Sequence, residues 1–337
     1  MARIALPMLS KTEASPIIHS IRTYQVPQWK ATTRPTSIHN IKVKFGSTLT
    51  KDFDLKEYNK PLIESINGEL HSLIPLSNDK IEEAMRYSVK GGGKRSCPLM
   101  CIAACKAVGG QREEALPVAC SLEMIHAASL RCDRPPTYVV FGPGIAIRAS
   151  DALYALAFHH IVRPCDALHP EGALKVVYEL AKAGGSMSMA GDQYMDLASL
   201  GTPFIDLAFV EYIHHHKSTL MAEILLLSGG IVGGGSNEEV ERLRAYGHFV
   251  GLAYQIVDDM LDQTGTTEEL TKPARNDKMV GKATYPELYG LERCREIVVE
   301  LVQKAQPCIS QFDPLDAAPL VIFAQFVVVK TFDSITG

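Results

Sequence analysis

Apolar residues recur at helical spacing along most of this 337-residue chain. No stretch alternates apolar and polar residues over any length, as a half-buried β-strand would, and no internal repeat is present. From residue 53 onward the pattern predicts about ten helices, separated by prolines, glycines and polar stretches. They cover approximately 53–70, 80–89, 98–108, 112–130, 144–162, 170–183, 188–197, 206–229, 237–262, 287–309 and 314–329. The sequence therefore predicts one all-α domain over residues 53–337, built as a helical bundle.

The predicted helix 112–130 is apolar or small on nearly all faces, which is typical of a helix at the centre of a bundle. Its pattern stops abruptly at Arg131. The segment from Arg131 to Tyr138 contains Pro135 and Pro136, and a helix cannot run through two consecutive prolines. We therefore expect an irregular connection here, with helix resuming near Gly144.

A stripe of polar residues interrupts the otherwise apolar run from Tyr254 to Asp262. Gln255, Asp258, Asp259 and Asp262 fall at positions i, i+3, i+4 and i+7, so they share one helix face. The opposite, core-facing stripe consists of Tyr246, Val250, Ala253, Val257 and Met260. One interpretation is a solvated acidic face. The apolar flanks, without a basic residue within a turn, favour a hard divalent cation such as Mg²⁺ that keeps waters and shares a phosphate.

Several cations lie where they could serve an anionic ligand. Lys94 and Arg95 follow three glycines, which let a backbone approach a ligand closely, and two cations suit a phosphate. Further candidates are Lys217 with Ser218 in a long helix, and Lys272 and Lys282 in the segment after the acidic stripe. Alone, the glycine-rich segment with its two cations fits an ordinary helix ending equally well. Each of the other lysines, taken singly, fits a solvated surface residue better than a ligand. Together with the acids, they indicate a magnesium–diphosphate site.

Charge is distributed unevenly along the chain. The net charge is -4, yet residues 1–51 hold eight Lys or Arg against Glu13 alone. This basic, Ser/Thr-rich composition predicts an organelle transit peptide over residues 1–52, with chloroplast favoured over mitochondrion. A disordered cytosolic tail is the alternative.

Other features exclude several classes of partner and site. The eight cysteines form no Cys-x-x-Cys pair, which favours buried thiols over a zinc site or a disulfide framework. The acidic remainder of the chain argues against nucleic acid as a partner. No apolar run is long enough to predict a membrane span.

Several motifs together resemble the trans-isoprenyl diphosphate synthases, and closely the plant geranylgeranyl diphosphate synthases. The matching residues include 83–88, 92–95, 101–105, 123–126, 216–217, 230–235, 254–262 and 282–286. The resemblance implies an all-α bundle around a deep central cavity that works as a dimer. It also implies ionisation of an allylic diphosphate, attack by isopentenyl diphosphate on the carbocation, and loss of a proton.

The resemblance also implies a function for each matching site residue. Lys94 and His126 would hold isopentenyl diphosphate. The allylic diphosphate would be held by Lys217, Ser218, Gln255, Lys272 and Lys282, where the family usually has Thr at position 218. Asp258, Asp259 and Asp262 would bind Mg²⁺ as the second aspartate-rich motif.

The chain departs from this family where the first aspartate-rich motif and two arginines would stand, about a dozen residues in all. Only Asp133 remains of that acidic cluster, and Cys97 stands where the family has an arginine. The family implies three magnesium ions, most of them anchored by the missing motif. Each magnesium ion or arginine that stabilises the charge developing on the departing diphosphate contributes a factor of about 10²–10³ to the rate. The combined loss of rate could therefore exceed ~10⁵-fold.

Three hypotheses follow from these departures. The first is a poorly active or non-catalytic subunit that pairs with an intact geranylgeranyl diphosphate synthase. The second is an active, Mg²⁺-dependent synthase whose first-motif segment is absent through splicing or a gene-model error; Ala128 and Ser129 would then favour a C20 product. The third, a terpene cyclase, needs a further Asn/Asp-x-x-Ser/Thr-x-x-x-Glu metal motif, which we do not find on a suitable helix.

Overall fold

The computed structural model describes residues 53–74, 76, 79–90, 95–129, 136–163, 169–185, 219–264 and 284–333. Within these ranges the chain forms helices and no β-strand, which confirms the all-α prediction. The helices are α1 Leu55–Leu73, α2 Lys80–Val89, α3 Ser96–Ala107, α4 Arg112–Ser129, α5 Thr137–Phe141, α6 Pro143–Val162, α7 Pro170–Gly184, α8 Leu220–Val232, α9 Asn237–Thr264, α10 Tyr285–Ile309 and α11 Ala318–Asp333.

Two predicted regions lie outside the described residues. These are the transit segment 1–52 and the helix 188–197, and both stay predictions. Of the predicted helix 206–229, the structure describes only the part that forms α8, which continues to Val232.

The first two helices begin at aspartates that cap them. Asp54 accepts hydrogen bonds from the backbone N–H groups of Lys56 and Glu57, and Asp79 caps α2 in the same way. Such side chains satisfy N–H groups that have no partner within the helix. The predicted starts of these helices therefore have a local chemical cause.

The prediction that helix is absent until Gly144 was wrong at α5. Pro136 adopts an extended conformation (φ -53°, ψ 147°) and α5 begins at the next residue. Its carbonyl oxygen accepts hydrogen bonds from the N–H groups of Val139 and Val140. Proline is tolerated at a helix start, because the N–H group it lacks would have no helical partner there.

The centre of the described bundle is formed by α3, α4, α8 and α9. α8 packs against α3, α4, α7 and α9, and α9 packs in turn against α10 and α11. Every residue of α8 from Met221 to Val232 is buried. On α4, Ala115, Val118 and Leu122 are fully buried, which confirms the central position predicted for this helix.

Glycines allow the central helices to approach one another closely. A Cβ atom on Gly229 of α8 would lie 2.1 Å from the carbonyl oxygen of Cys101 on α3. A Cβ atom on Gly247 of α9 would lie 2.8 Å from the carbonyl oxygen of Ala222 on α8. The separations between α3, α8 and α9 therefore depend on residues without a side chain.

The described cysteines are free thiols within the protein. Cys101, Cys105, Cys120 and Cys294 are buried, and Cys97 and Cys308 are partly buried. Of the six cysteines in the described part of the chain, four are therefore buried as predicted, and Cys97 and Cys308 are buried only in part. In the same part of the chain, no helix is both long and apolar enough to cross a bilayer.

Candidate functional site

The C-terminal half of α9 carries the polar stripe predicted from the sequence. Asp259 and Asp262 are each 1% exposed, Gln255 is also buried, and Asp258 is partly buried. The opposite stripe is buried as well, at Tyr246, Val250, Ala253, Val257 and Met260. The interpretation of the acids as a solvated face was therefore wrong, because two of the three carboxylates are withdrawn from water.

Contacts from α11 hold α9 in place. The Tyr246 hydroxyl donates a hydrogen bond of 2.6 Å to the carbonyl oxygen of Leu320 on α11. Tyr254 stacks on Phe323, with ring centroids 6.4 Å apart and planes inclined by 17°. These two contacts are eight residues apart on α9, so they constrain the rotation of this helix about its axis.

Gln255 orients one of the buried acids. Its Nε2 atom donates a hydrogen bond of 2.8 Å to Oδ1 of Asp259. Burial, followed by the charge of Asp259, raises the pKa of the Cys294 thiol on α10 to about 12. A carboxylate held in the interior requires hydrogen-bond donors or a cation, and the amide of Gln255 provides one donor.

The chemistry of these side chains fits a magnesium ion. Aspartate carboxylates are hard oxygen ligands, and Mg²⁺ usually takes one or two of them while keeping waters and binding phosphate oxygens. Among the described residues, no three His, Cys, Asp or Glu side chains form a ligand cluster for one metal.

His126 lies in the last turn of α4, on the same face as Glu123 one turn earlier. Burial lowers the pKa of His126, and the charge of Glu123 opposes this shift only in part. The lowered pKa favours the neutral form of the imidazole. A neutral imidazole has one N–H group with which it can donate to an oxygen of a bound anion.

Arg95 does not have the function that the sequence suggested. Its Nη1 atom lies 2.7 Å from Oε1 of Glu123, and both side chains are buried. Its other nitrogens donate to Oδ1 of Asn67 and to the carbonyl oxygen of Val89. The interpretation of Arg95 as a second phosphate-binding cation beside Lys94 was wrong, because its guanidinium is committed to protein groups.

The remaining predicted site residues lie outside the described part of the chain. These are Lys94, Lys217, Ser218, Lys272 and Lys282. Asp133, which remains of the first acidic cluster, also lies outside the described residues. The structure thus places Gln255 and the three aspartates on α9 and His126 on α4, and α8 packs against both helices.

The sequence analysis missed a second polar pair near the predicted site. Nδ1 of His248 on α9 lies 2.9 Å from Oε1 of Glu223 on α8, and Glu223 is buried. His248 precedes Gln255 by seven residues, so the two lie on one side of α9. That spacing was visible in the sequence, but the partner on α8 was not.

Comparison with known proteins gives a consistent result along the chain. Residues 78–314 match the polyprenyl synthetase family model. The chain is 42% identical over 294 residues to a chloroplastic geranylfarnesyl diphosphate synthase of Leucosceptrum canum, covering 82% of this chain and 81% of the relative. It is also 42% identical to chloroplastic geranylgeranyl pyrophosphate synthase 3 of Arabidopsis thaliana, covering 82% of each.

Solved structures show the same similarity. An FPP/GFPP synthase from Zymomonas mobilis superposes with a TM-score of 0.71 at 31% identity, covering 81% of this chain and 98% of that one. The geranylgeranyl pyrophosphate synthetase of Pyrococcus horikoshii superposes with a TM-score of 0.73 at 25% identity and the same coverage. The chain therefore shares its helical bundle with these two synthases over about four-fifths of its length.

Proposed function

Because the chain belongs to the polyprenyl synthetase family, we propose that it is a geranylgeranyl-type homologue that binds diphosphate substrates but turns them over poorly or not at all alone. The family condenses allylic diphosphates with isopentenyl diphosphate and is generally Mg²⁺-dependent. In our proposal this chain serves isoprenoid biosynthesis as a subunit beside an intact synthase.

The observation that carries this proposal is an asymmetry in acidic residues. The α9 stripe offers three aspartates, two of them buried and one oriented by Gln255. Between Glu123 and Asp151, in contrast, Asp133 is the one acidic residue in the sequence. The chain thus has ligands for a cation on one side of a diphosphate and lacks the cluster that the family resemblance implies opposite it.

This asymmetry affects the chemical step more than binding. Ionisation breaks the allylic C–O bond, and the diphosphate leaves with the electron pair. The new carbon–carbon bond forms when the isopentenyl double bond attacks the allylic cation, and a proton is then lost. Cations that neutralise the departing diphosphate lower the barrier of the first of these steps. Without the opposite cluster, that barrier stays high even when substrate is bound.

Each site residue has a binding function in this proposal. Partly buried and in its neutral form, His126 would donate a hydrogen bond to isopentenyl diphosphate, with Lys94 supplying charge. Lys217, Ser218, Lys272 and Lys282 would contact the allylic diphosphate beside Gln255. Asp258, Asp259 and Asp262 would hold Mg²⁺, which supplies charge neutralisation when bound.

A subunit function requires that the chain keep the shape of a synthase. The similarity to full synthases covers about four-fifths of both chains, so most of the bundle is retained. In a mixed dimer, in place of a homodimer, the intact synthase would provide the complete active site. The relatives are named as chloroplastic proteins, which supports a plastid location for this chain and for such a partner.

An active geranylgeranyl diphosphate synthase is the competing proposal. It is favoured by the complete acidic motif on α9 and by the abrupt change at Leu130, where the family pattern stops and resumes near Val140. Sequencing the transcript across the codons for Leu130 and Arg131 separates the two. A transcript that encodes an additional acidic segment there would support the active synthase.

The subunit proposal is tested by titrating the purified chain into an intact plant geranylgeranyl diphosphate synthase with Mg²⁺, farnesyl diphosphate and isopentenyl diphosphate. We expect a mixed dimer on size-exclusion chromatography with native mass spectrometry, and a change in turnover or product length. No association with any intact plastid synthase would contradict the subunit function. The Arabidopsis and Leucosceptrum relatives are suitable first partners.

A further inference from the structure

Arg95 connects three helices at the point where α3 begins. Its Nη1 atom lies 2.7 Å from Oε1 of Glu123 on α4, and its Nε atom donates at 3.0 Å to Oδ1 of Asn67 on α1. Its Nη2 atom donates at 2.9 Å to the carbonyl oxygen of Val89, the last residue of α2. One buried guanidinium thereby fixes α1, α2 and α4 relative to the first turn of α3.

The same contacts fix the chain on either side of the glycine-rich segment. Val89 precedes this segment and Arg95 follows it, so the Nη2 bond holds its two ends together. Arg95 has φ 52°, in the left-handed region that residues with a side chain rarely adopt.

Arg95 pairs with Glu123, which lies one turn before His126 on α4. Glu123 and His126 are three residues apart on α4 and share a face. Without a cation beside it, the buried carboxylate of Glu123 would repel a diphosphate bound by His126. Glu123 also contributes, after burial, to raising the pKa of the Cys97 thiol, so its charge acts on the first turn of α3 as well.

We infer that Arg95 is a positioning residue for isopentenyl diphosphate, which neutralises the buried carboxylate of Glu123 one turn before His126 and fixes the start of α3 against α1, α2 and α4. The inference rests on the proposed function of His126 and Lys94. Arg95 acts through protein groups and makes no contact with the substrate. Its guanidinium has the fork geometry needed for three separate acceptors, which a lysine ammonium does not reproduce.

The experiment is the dissociation constant of isopentenyl diphosphate, measured by calorimetry on the purified full chain. We expect Arg95→Met to weaken binding by on the order of tenfold or more, because small displacements of binding groups are costly. Arg95→Lys should recover only part of this loss. The double variant Arg95→Met/Glu123→Gln should bind more tightly than Arg95→Met, because it no longer buries an unpaired carboxylate.

Arg244→Met is the matched control. Arg244 also joins two helices, with its Nη2 atom 3.1 Å from Oε2 of Glu179 on α7. We expect this variant to lower thermal stability and to leave the dissociation constant within about twofold of wild type. An equal loss of binding in Arg244→Met and Arg95→Met would overturn the inference, because the effect would then be general destabilisation.

Two further variants separate this inference from the proposed function. If Lys94→Ala and His126→Ala weaken binding while Arg95→Met does not, the positioning inference is wrong and the proposed site stands. If Lys94→Ala and His126→Ala bind as wild type does, or wild type binds no isopentenyl diphosphate, the proposed site itself is wrong. Should Arg95→Met fail to fold, Glu123→Gln and Arg95→Lys provide the same comparison.

Discussion

Gln255 donates a hydrogen bond of 2.8 Å to Oδ1 of Asp259, one helical turn further along α9, and both side chains are buried. This bond shows that the polar stripe of α9 is organised within the protein. It also places an amide donor and a carboxylate acceptor side by side where the proposed diphosphate would bind.

Replacing Gln255 with Leu should destabilise the protein by about 1–3 kcal/mol, because the buried carboxylate of Asp259 loses a donor. Chemical denaturation measures this change. Gln263→Leu is the matched control, since Gln263 is partly buried on the same helix. The control should change the free energy of unfolding by about 0.5 kcal/mol or less. If the two substitutions lower the free energy of unfolding equally, the Gln255–Asp259 hydrogen bond does not contribute measurably to stability.

Close approach of α3 and α8 predicts that Gly229→Ala is strongly destabilising. The added Cβ atom would lie 2.1 Å from the carbonyl oxygen of Cys101, so the helices must separate. We expect a loss of at least about 1–3 kcal/mol. Gly68→Ala is the control, because its Cβ atom would meet no atom within 4 Å on the exposed side of α1.

Gly68→Ala should be neutral or should stabilise the protein by up to about 1 kcal/mol, the usual gain from alanine in a helix. Thermal unfolding of both variants by circular dichroism makes the comparison. A Gly229→Ala protein as stable as wild type would contradict the packing between α3 and α8.

His160 predicts a specific loss of stability in acid. It is 1% exposed, and burial, aided by the charge of Arg163, lowers its pKa to about 4. The carboxylate of Glu69 does not offset this lowering of the pKa, because it pairs with Arg163. Its Oε1 atom lies 2.7 Å from the Arg163 guanidinium and 3.5 Å from Nε2 of His160. The unfolded chain binds a proton near pH 6.5 and the folded chain does not, so stability falls as pH drops from about 6.5 to 4.

His160→Gln should remove the loss of stability in acid that comes from His160, which amounts to up to about 3 kcal/mol at pH 4. The measurement is the free energy of unfolding against pH for wild type and variant. His159→Gln, at an exposed neighbouring position, should keep most of the wild-type slope. An unchanged slope in His160→Gln would show that another group controls acid stability.

The buried thiols predict an order of chemical labelling. Burial raises the pKa of Cys105 to about 12, so only ~10⁻⁴ of it is thiolate at pH 8, and Cys101 and Cys120 are also fully buried. Cys308 is partly buried and should react first among these four. Mass spectrometry after timed alkylation of the folded protein gives the order. Labelling of Cys101 as fast as that of Cys308 would contradict the burial of α3.

Much of this architecture follows from the sequence, because helical periodicity and apolar flanks are local properties. The stripe on α9 was predictable, since its acids and the opposite core residues both recur at helical spacing between Tyr246 and Asp262. The function of Arg95 was not, because its partners Asn67 and Glu123 are each 28 residues away. The short helix α5 was missed because two prolines suggest a break, although a proline can also precede a helix start.

The central claim is that this chain binds a diphosphate but does not drive its departure. The most direct measurement is the turnover number of the purified chain alone, with Mg²⁺, farnesyl diphosphate and labelled isopentenyl diphosphate, beside an intact plant synthase under the same conditions. We predict turnover at least ~10⁵-fold below that of the intact enzyme. Turnover within about tenfold of the intact enzyme, well above that predicted limit, would contradict the account.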